Sequence, residues 1–78
     1  MSECFVSFAT PSDVRDFVAI ATKQIFPIEV EHGNMKTNAK SIMSLFSMGL
    51  NRRLRVVIGD KDADASTFFM ALTPFMVA

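Results

Sequence analysis

At 78 residues, half of them apolar, the chain has material for one small hydrophobic core and not for two, so it is expected to form a single domain over residues 1–78. Lysine plus arginine equals aspartate plus glutamate at eight each, which leaves no bulk field to attract nucleic acid or an anionic membrane. Cys4 is the only cysteine, so an internal disulfide and a cysteine-based zinc cluster are excluded, and a lone thiol fits a reducing cytoplasm.

Cys4, Val6 and Phe8 alternate with Phe5 and Ser7, the pattern of a strand with one buried face. Thr10-Pro11-Ser12-Asp13 reads as a helix start. Thr10 or Ser12 serves as the cap, Pro11 suits the first turn, and Asp13 favours the positive end of the helix dipole. Val14, Phe17, Val18, Ala21 and Ile25 follow at helical spacing, and Pro27 stops the helix. Ile28 to His32 alternates again. Gly33-Asn34 is a two-residue hairpin signal, because both residue types tolerate positive φ, and Met35 to Asn38 is the returning strand. Ile42, Met43, Leu45, Phe46 and Met48 then mark a short helix, with Ser41 as its cap and Gly49 at its end. Leu54 to Ile58 is the most strand-like segment, with Val57 partly covered on the second face. Asp62 or Asp64 opens a last helix carrying Ala65, Phe68, Phe69, Leu72 and Met76, ended or kinked by Pro74 near Thr73. The order β-α-β-β-α-β-α packs most simply as an antiparallel sheet with its helices on one face, although periodicity does not fix strand order. The expected core includes Phe8, Phe17, Val30, Leu45, Val56, Ile58, Phe69 and Leu72. No signal peptide is expected after Met1-Ser2-Glu3, and Phe68–Ala78 is about half the length of a bilayer-spanning helix.

The run Asn38-Ala39-Lys40-Ser41-Ile42-Met43-Ser44-Leu45-Phe46-Ser47-Met48-Gly49-Leu50 resembles the N-L-K-S-I-M-G-x-x-x-L-G-I segment around the regulatory serine of HPr. HPr is the histidine-containing phosphocarrier of the bacterial sugar phosphotransferase system. The likeness continues through Leu54–Ile58 to about Leu72 and is looser in the first half, where the first helix is about three residues shorter. It implies an α+β fold, the open-faced β-sandwich with four antiparallel strands and three helices on one side. The family's G-x-H-A-R-P signature aligns with Pro11-Ser12-Asp13-Val14-Arg15-Asp16. Asp13 then stands in the place of the phosphorylated histidine, and Arg15 in that of the arginine that helps bind the phosphoryl group. A carboxylate can form an acyl phosphate, but two acids at one helix N-terminus repel an incoming phosphate and compete for its donors.

Each residue so singled out has a plainer reading. Asp13 and Asp16 are ordinary first-turn acids. His32, the only histidine, reads as a strand-end residue beside the turn, and it has no clustered partners for a metal. Ser41 is a helix cap in the plain reading and a regulatory phosphorylation position in the sharper one. Met43, Phe46 and Met48 outnumber the inward positions of a two-turn helix, so some of them must face outward, and Val14, Met43 and Phe46 are expected to form a partner-docking surface. Met70, Phe75, Met76 and Val77 suggest a second covered or dimeric surface on the last helix. Three functions follow: a non-carrier regulatory module that binds protein partners through its first and second helices, a phosphocarrier using Asp13, or a self-associating structural domain such as a homodimer. Neither cofactor nor metal is implied, and no nucleophile–base pair or phosphate-cradling glycine loop points to an enzyme.

Overall fold

The computed structural model describes residues 3–60 and 62–78. Strand β1 (Glu3–Val6) leads into helix α1 (Pro11–Thr22), followed by the hairpin β2 (Ile28–His32) and β3 (Met35–Asn38). Helix α2 (Ile42–Met48), strand β4 (Leu54–Ile58) and helix α3 (Ser66–Ala71) complete the order, with a 3₁₀ turn over Thr73–Phe75. The four strands form one sheet in the order β1-β4-β2-β3, and every pairing is antiparallel. The last strand to be made is therefore an inner strand, hydrogen-bonded to both β1 and β2.

Strand alternation sorts the side chains onto two faces. One row places Cys4 opposite Val56 and Val56 opposite Val30, and these face the helices. The next row runs Phe5, Arg55, Glu31, Lys36 across the helix-free face. There Arg55 donates to Glu31 at 3.1 Å and to Glu3 through Nε at 2.7 Å and through Nη2. These exposed pairs align the strands more than they stabilise the fold. At the hairpin, Gly33 takes φ +58° while Asn34 does not enter the positive region. Positive φ at the first central residue alone is the type II′ pattern, in which only the glycine is indispensable.

The core lies between the sheet and the helices. Phe8, Phe17, Val30, Leu45, Val56, Ile58, Phe69 and Leu72 are all buried, as the sequence predicts. Phe17 sits among Phe8, Phe68 and Phe75, with ring centroids 5.1, 6.5 and 6.4 Å away, at tilted or edge-on angles that aromatic rings favour.

Several boundaries differ from expectation. Helix α1 ends at Thr22, one turn before Pro27: the Thr22 hydroxyl donates back to Val18 and the Gln24 amide to Ile20, closing the last turn with side chains. Ile25 thus falls off the helix and is 100% exposed. The last helix has Ala65 at its cap position with no side-chain cap, and Asp64 rather than Asp62 makes the turn that leads into it, its Oδ1 accepting from the Ser66 amide at 3.1 Å and from the Ser66 hydroxyl at 2.8 Å. That helix stops at Ala71, Pro74 sits in the 3₁₀ turn, and Phe75 swings into the core instead of out to a surface. Beyond the turn, Met76 bridges to Val6. Two backbone bonds flank this bridge, from Ser7 to Phe75 at 2.9 Å and from Val77 to Phe5 at 3.0 Å.

Candidate functional site

The start of α1 is built from three residues, each with a defined task. Thr10 has extended backbone (φ −138°, ψ 160°) and its hydroxyl accepts from the Asp13 amide at 3.2 Å. Pro11 occupies the first turn, where no amide donor is missed. Asp13 reaches back, and its Oδ2 accepts from the Ala9 amide at 3.0 Å. The threonine and aspartate thus satisfy each other's segment reciprocally, in the manner of a capping box shifted by one residue. A carboxylate already fills the positive end of the helix, and the amides of Ala9, Asp13 and Val14 are bonded to the chain's own oxygens. Arg15 and Asp16 point to solvent, and neither forms an ion pair among the described residues.

Val14 is 0% exposed. With Phe17 and Ala21 it makes the buried stripe of α1, so it belongs to the core and not to a docking surface. Position 14 starts the i, i+3, i+7 series that faces the sheet, and a valine there cannot also face outward.

Helix α2 is organised differently. Its seven residues carry no charge, and Ser41 stands at the cap position with φ −107° and ψ 102° but makes no capping bond with its side chain. The Ser41 hydroxyl instead donates to Ser44 Oγ at 2.9 Å, and it is partly exposed. The expected N-cap role of the Ser41 hydroxyl is therefore not realised. Leu45 and Met48 turn inward, which removes Met48 from the expected overflow. Met43 is 76% exposed and Phe46 42%, and Leu50 continues their line just past the helix at 36%. Leu50 follows the helix-ending Gly49, whose φ of +90° breaks the helical spacing, so no periodic signal marks it.

Two hydrogen bonds fix how the helices lie together. Lys40 Nζ donates to the Gln24 carbonyl at 2.8 Å, tying the entry of α2 to the exit of α1. At the other end the Asn51 amide donates to the Phe8 carbonyl at 2.7 Å, beside the entry of α1. The helices run antiparallel, so Asp13 and Ser41 sit at opposite ends of the pair and do not share one site. His32 lies at the end of β2, two strands across the sheet from β1, and its side chain makes no hydrogen bond among the described residues. No group of three or more potential metal-binding side chains occurs among the described residues.

Residues 13–77 match the family described as the PTS HPr component phosphorylation site. The chain belongs to the HPr family. Among solved structures it is similar to HPr-C-His from Thermoanaerobacter tengcongensis, with a TM-score of 0.73 and 27% identity, covering 95% of this chain and 89% of that one. No curated protein matches it. HPr proteins are phosphocarriers rather than enzymes and act with other phosphotransferase-system proteins. Among the described residues no helix is long and apolar enough to cross a membrane. Within this HPr fold, the start of α1 holds an acid tied into a cap, and the start of α2 holds a serine whose hydroxyl is not.

Proposed function

We propose that this HPr-family chain is a bacterial, cytoplasmic, non-carrier regulatory module that binds protein partners through α2, with Ser41 as its regulatory phosphorylation position. Asp13 takes the place of the phosphoryl-accepting histidine, and Arg15 is a remnant of the phosphate site. The observation that carries this reading is the Asp13–Ala9 bond of 3.0 Å. Phosphorylating that carboxylate would break the cap and crowd further negative charge against Asp16. At α2 the physics runs the other way. The Ser41 hydroxyl is spared from capping, so a phosphate there removes only its bond to Ser44 and gains the favourable end of the helix dipole. It would also place charge beside Met43, Phe46 and Leu50, at the edge of the apolar stripe a partner would cover.

The test is a pair of incubations read by intact mass and fragment mapping. With phosphoenolpyruvate and the first enzyme of the sugar phosphotransferase system the mass is expected to stay unchanged, whereas with ATP and an HPr kinase one phosphate is expected on Ser41. A phosphate mapped to Asp13 or His32 in the first incubation overturns the non-carrier reading. Absence of modification in the second overturns the role of Ser41.

A further inference from the structure

We propose that Ser44 is the positioning residue of the Ser41 site: its hydroxyl holds the Ser41 side chain before modification and donates to the phosphate afterwards. This role rests on Ser41 being a phosphorylation position and adds to it the residue that receives the phosphate. Ser44 stands where the family's N-L-K-S-I-M-G run has its glycine, so this chain carries a hydroxyl at a position where that run has no side chain. It lies three residues after Ser41, which puts the two on one face of the helix start. The Ser41 hydroxyl donates to Ser44 Oγ at 2.9 Å, and both residues are half-buried. The polar neighbours are engaged elsewhere. Lys40 Nζ is on the Gln24 carbonyl at 2.8 Å, and the Ser47 hydroxyl donates to the Ser44 carbonyl at 2.6 Å. Among the described residues, Ser44 is therefore the one side chain hydrogen-bonded to Ser41 Oγ.

A serine hydroxyl both donates and accepts, which lets one contact run in two directions. In the unmodified chain Ser44 accepts, and the bond holds Ser41 in one staggered side-chain position. On transfer from ATP, a bond forms between Ser41 Oγ and the terminal phosphorus as the bond from that phosphorus to ADP breaks. The hydroxyl proton passes to a base of the kinase. Ser41 then has no proton to give, whereas the phosphate brings three strong acceptor oxygens. Ser44 turns its own proton towards them, so the contact survives with donor and acceptor exchanged. A bond donated to a phosphate dianion favours the charged form and lowers its second pKa. A glycine at position 44 cannot supply that bond.

The full chain, made by chemical synthesis with phosphoserine at position 41, tests the proposal, because the phosphate is then present whether or not a kinase adds it. Its second pKa is read by phosphorus NMR. In Ser44→Ala that value is expected to rise by about half a unit, the scale of one partly solvated hydrogen bond. Alanine is a better helix former than serine, so the variant keeps α2. Lys40 is common to the chains compared, so the difference between them reports Ser44. Ser44→Thr, which retains the hydroxyl, is expected to restore the parent value. Ser47→Ala removes a serine of the same helix that does not bond to Ser41, and it is expected to leave the value unchanged. Equal values in the parent and Ser44→Ala, a threonine value that follows alanine, or an equal rise in Ser47→Ala overturns the proposal. Failure of the kinase to modify Ser41 overturns the regulatory reading instead, and the titration of the synthetic chain tells the two failures apart.

Discussion

Helices α1 and α2 each begin with a β-hydroxy residue at the cap position, yet the two starts do opposite things. At α1 the hydroxyl of Thr10 and the carboxylate of Asp13 are both spent on backbone amides, and the residue between them and the core, Val14, is fully buried. At α2 the hydroxyl of Ser41 bonds only to Ser44, and the next outward residues, Met43 and Phe46, are open to solvent. The difference teaches that a cap residue's type says less than its bonding. An acid consumed by the fold is a poor phosphate carrier, whereas a hydroxyl left out of the fold is available for modification.

The largest effect that would sharpen this contrast comes from one phenylalanine on each helix. Phe17→Ala is expected to cost about 3–5 kcal/mol in urea unfolding, since it empties the centre of the aromatic cluster. Phe46→Ala is expected to cost about 1 kcal/mol or less, because much of that ring is already in water. Equal costs would mean that α2 is as structural as α1. A smaller effect separates the caps. Thr10→Ala is expected to lose about 1 kcal/mol, the scale of a working N-cap, and Ser41→Ala to stay within about 0.5 kcal/mol, as for a surface change. A full cap-sized loss at Ser41 would reinstate it as a structural residue.

The smallest effect is a control at the third helix. Hydrogen bonds from the Ser66 side chain, and secondarily its amide, hold the Asp64 carboxyl below its ordinary range. A carboxylate whose folded pKa is depressed contributes stability that is present above its unfolded pKa and lost as pH falls through the folded value. Ser66→Ala is therefore expected to raise the Asp64 pKa in an NMR titration and to weaken the loss of stability on acidification. An unmoved Asp64 would show that the Ser66 hydroxyl bond ahead of α3, unlike the cap at α1, does not form in solution.

Most of the fold was legible in the residues, because alternation and helical spacing are set by which side chains must leave water. The Gly33 turn, the four strands and the buried faces of Phe17, Leu45 and Val56 follow from that alone. The misses have one physical origin: periodicity marks a face but not where the chain leaves it. Ile25 continues the spacing of α1, yet side-chain bonds from Thr22 and Gln24 close the helix first. Phe75 lies beyond the helix-ending Pro74, and only the 3₁₀ turn returns it to Phe8. The site was less legible. Val14 is expected outward beside the apolar surplus of α2 although it lies on the buried stripe of α1, and nothing in the spacing marks Ser44 as the acceptor of the Ser41 hydroxyl.

The order β1-β4-β2-β3 also governs when the domain can exist during synthesis. Until Leu54–Ile58 has been made, β1 has no strand to pair with, and the only sheet contact available is the local hairpin of β2 and β3. An isolated hairpin is marginal in water, and long-range pairing must wait for loop closure. A nascent chain that has reached Asn51 thus exposes Phe8 and Phe17 without a sheet to receive them, and acquires its fold in one late step when its most apolar strand emerges.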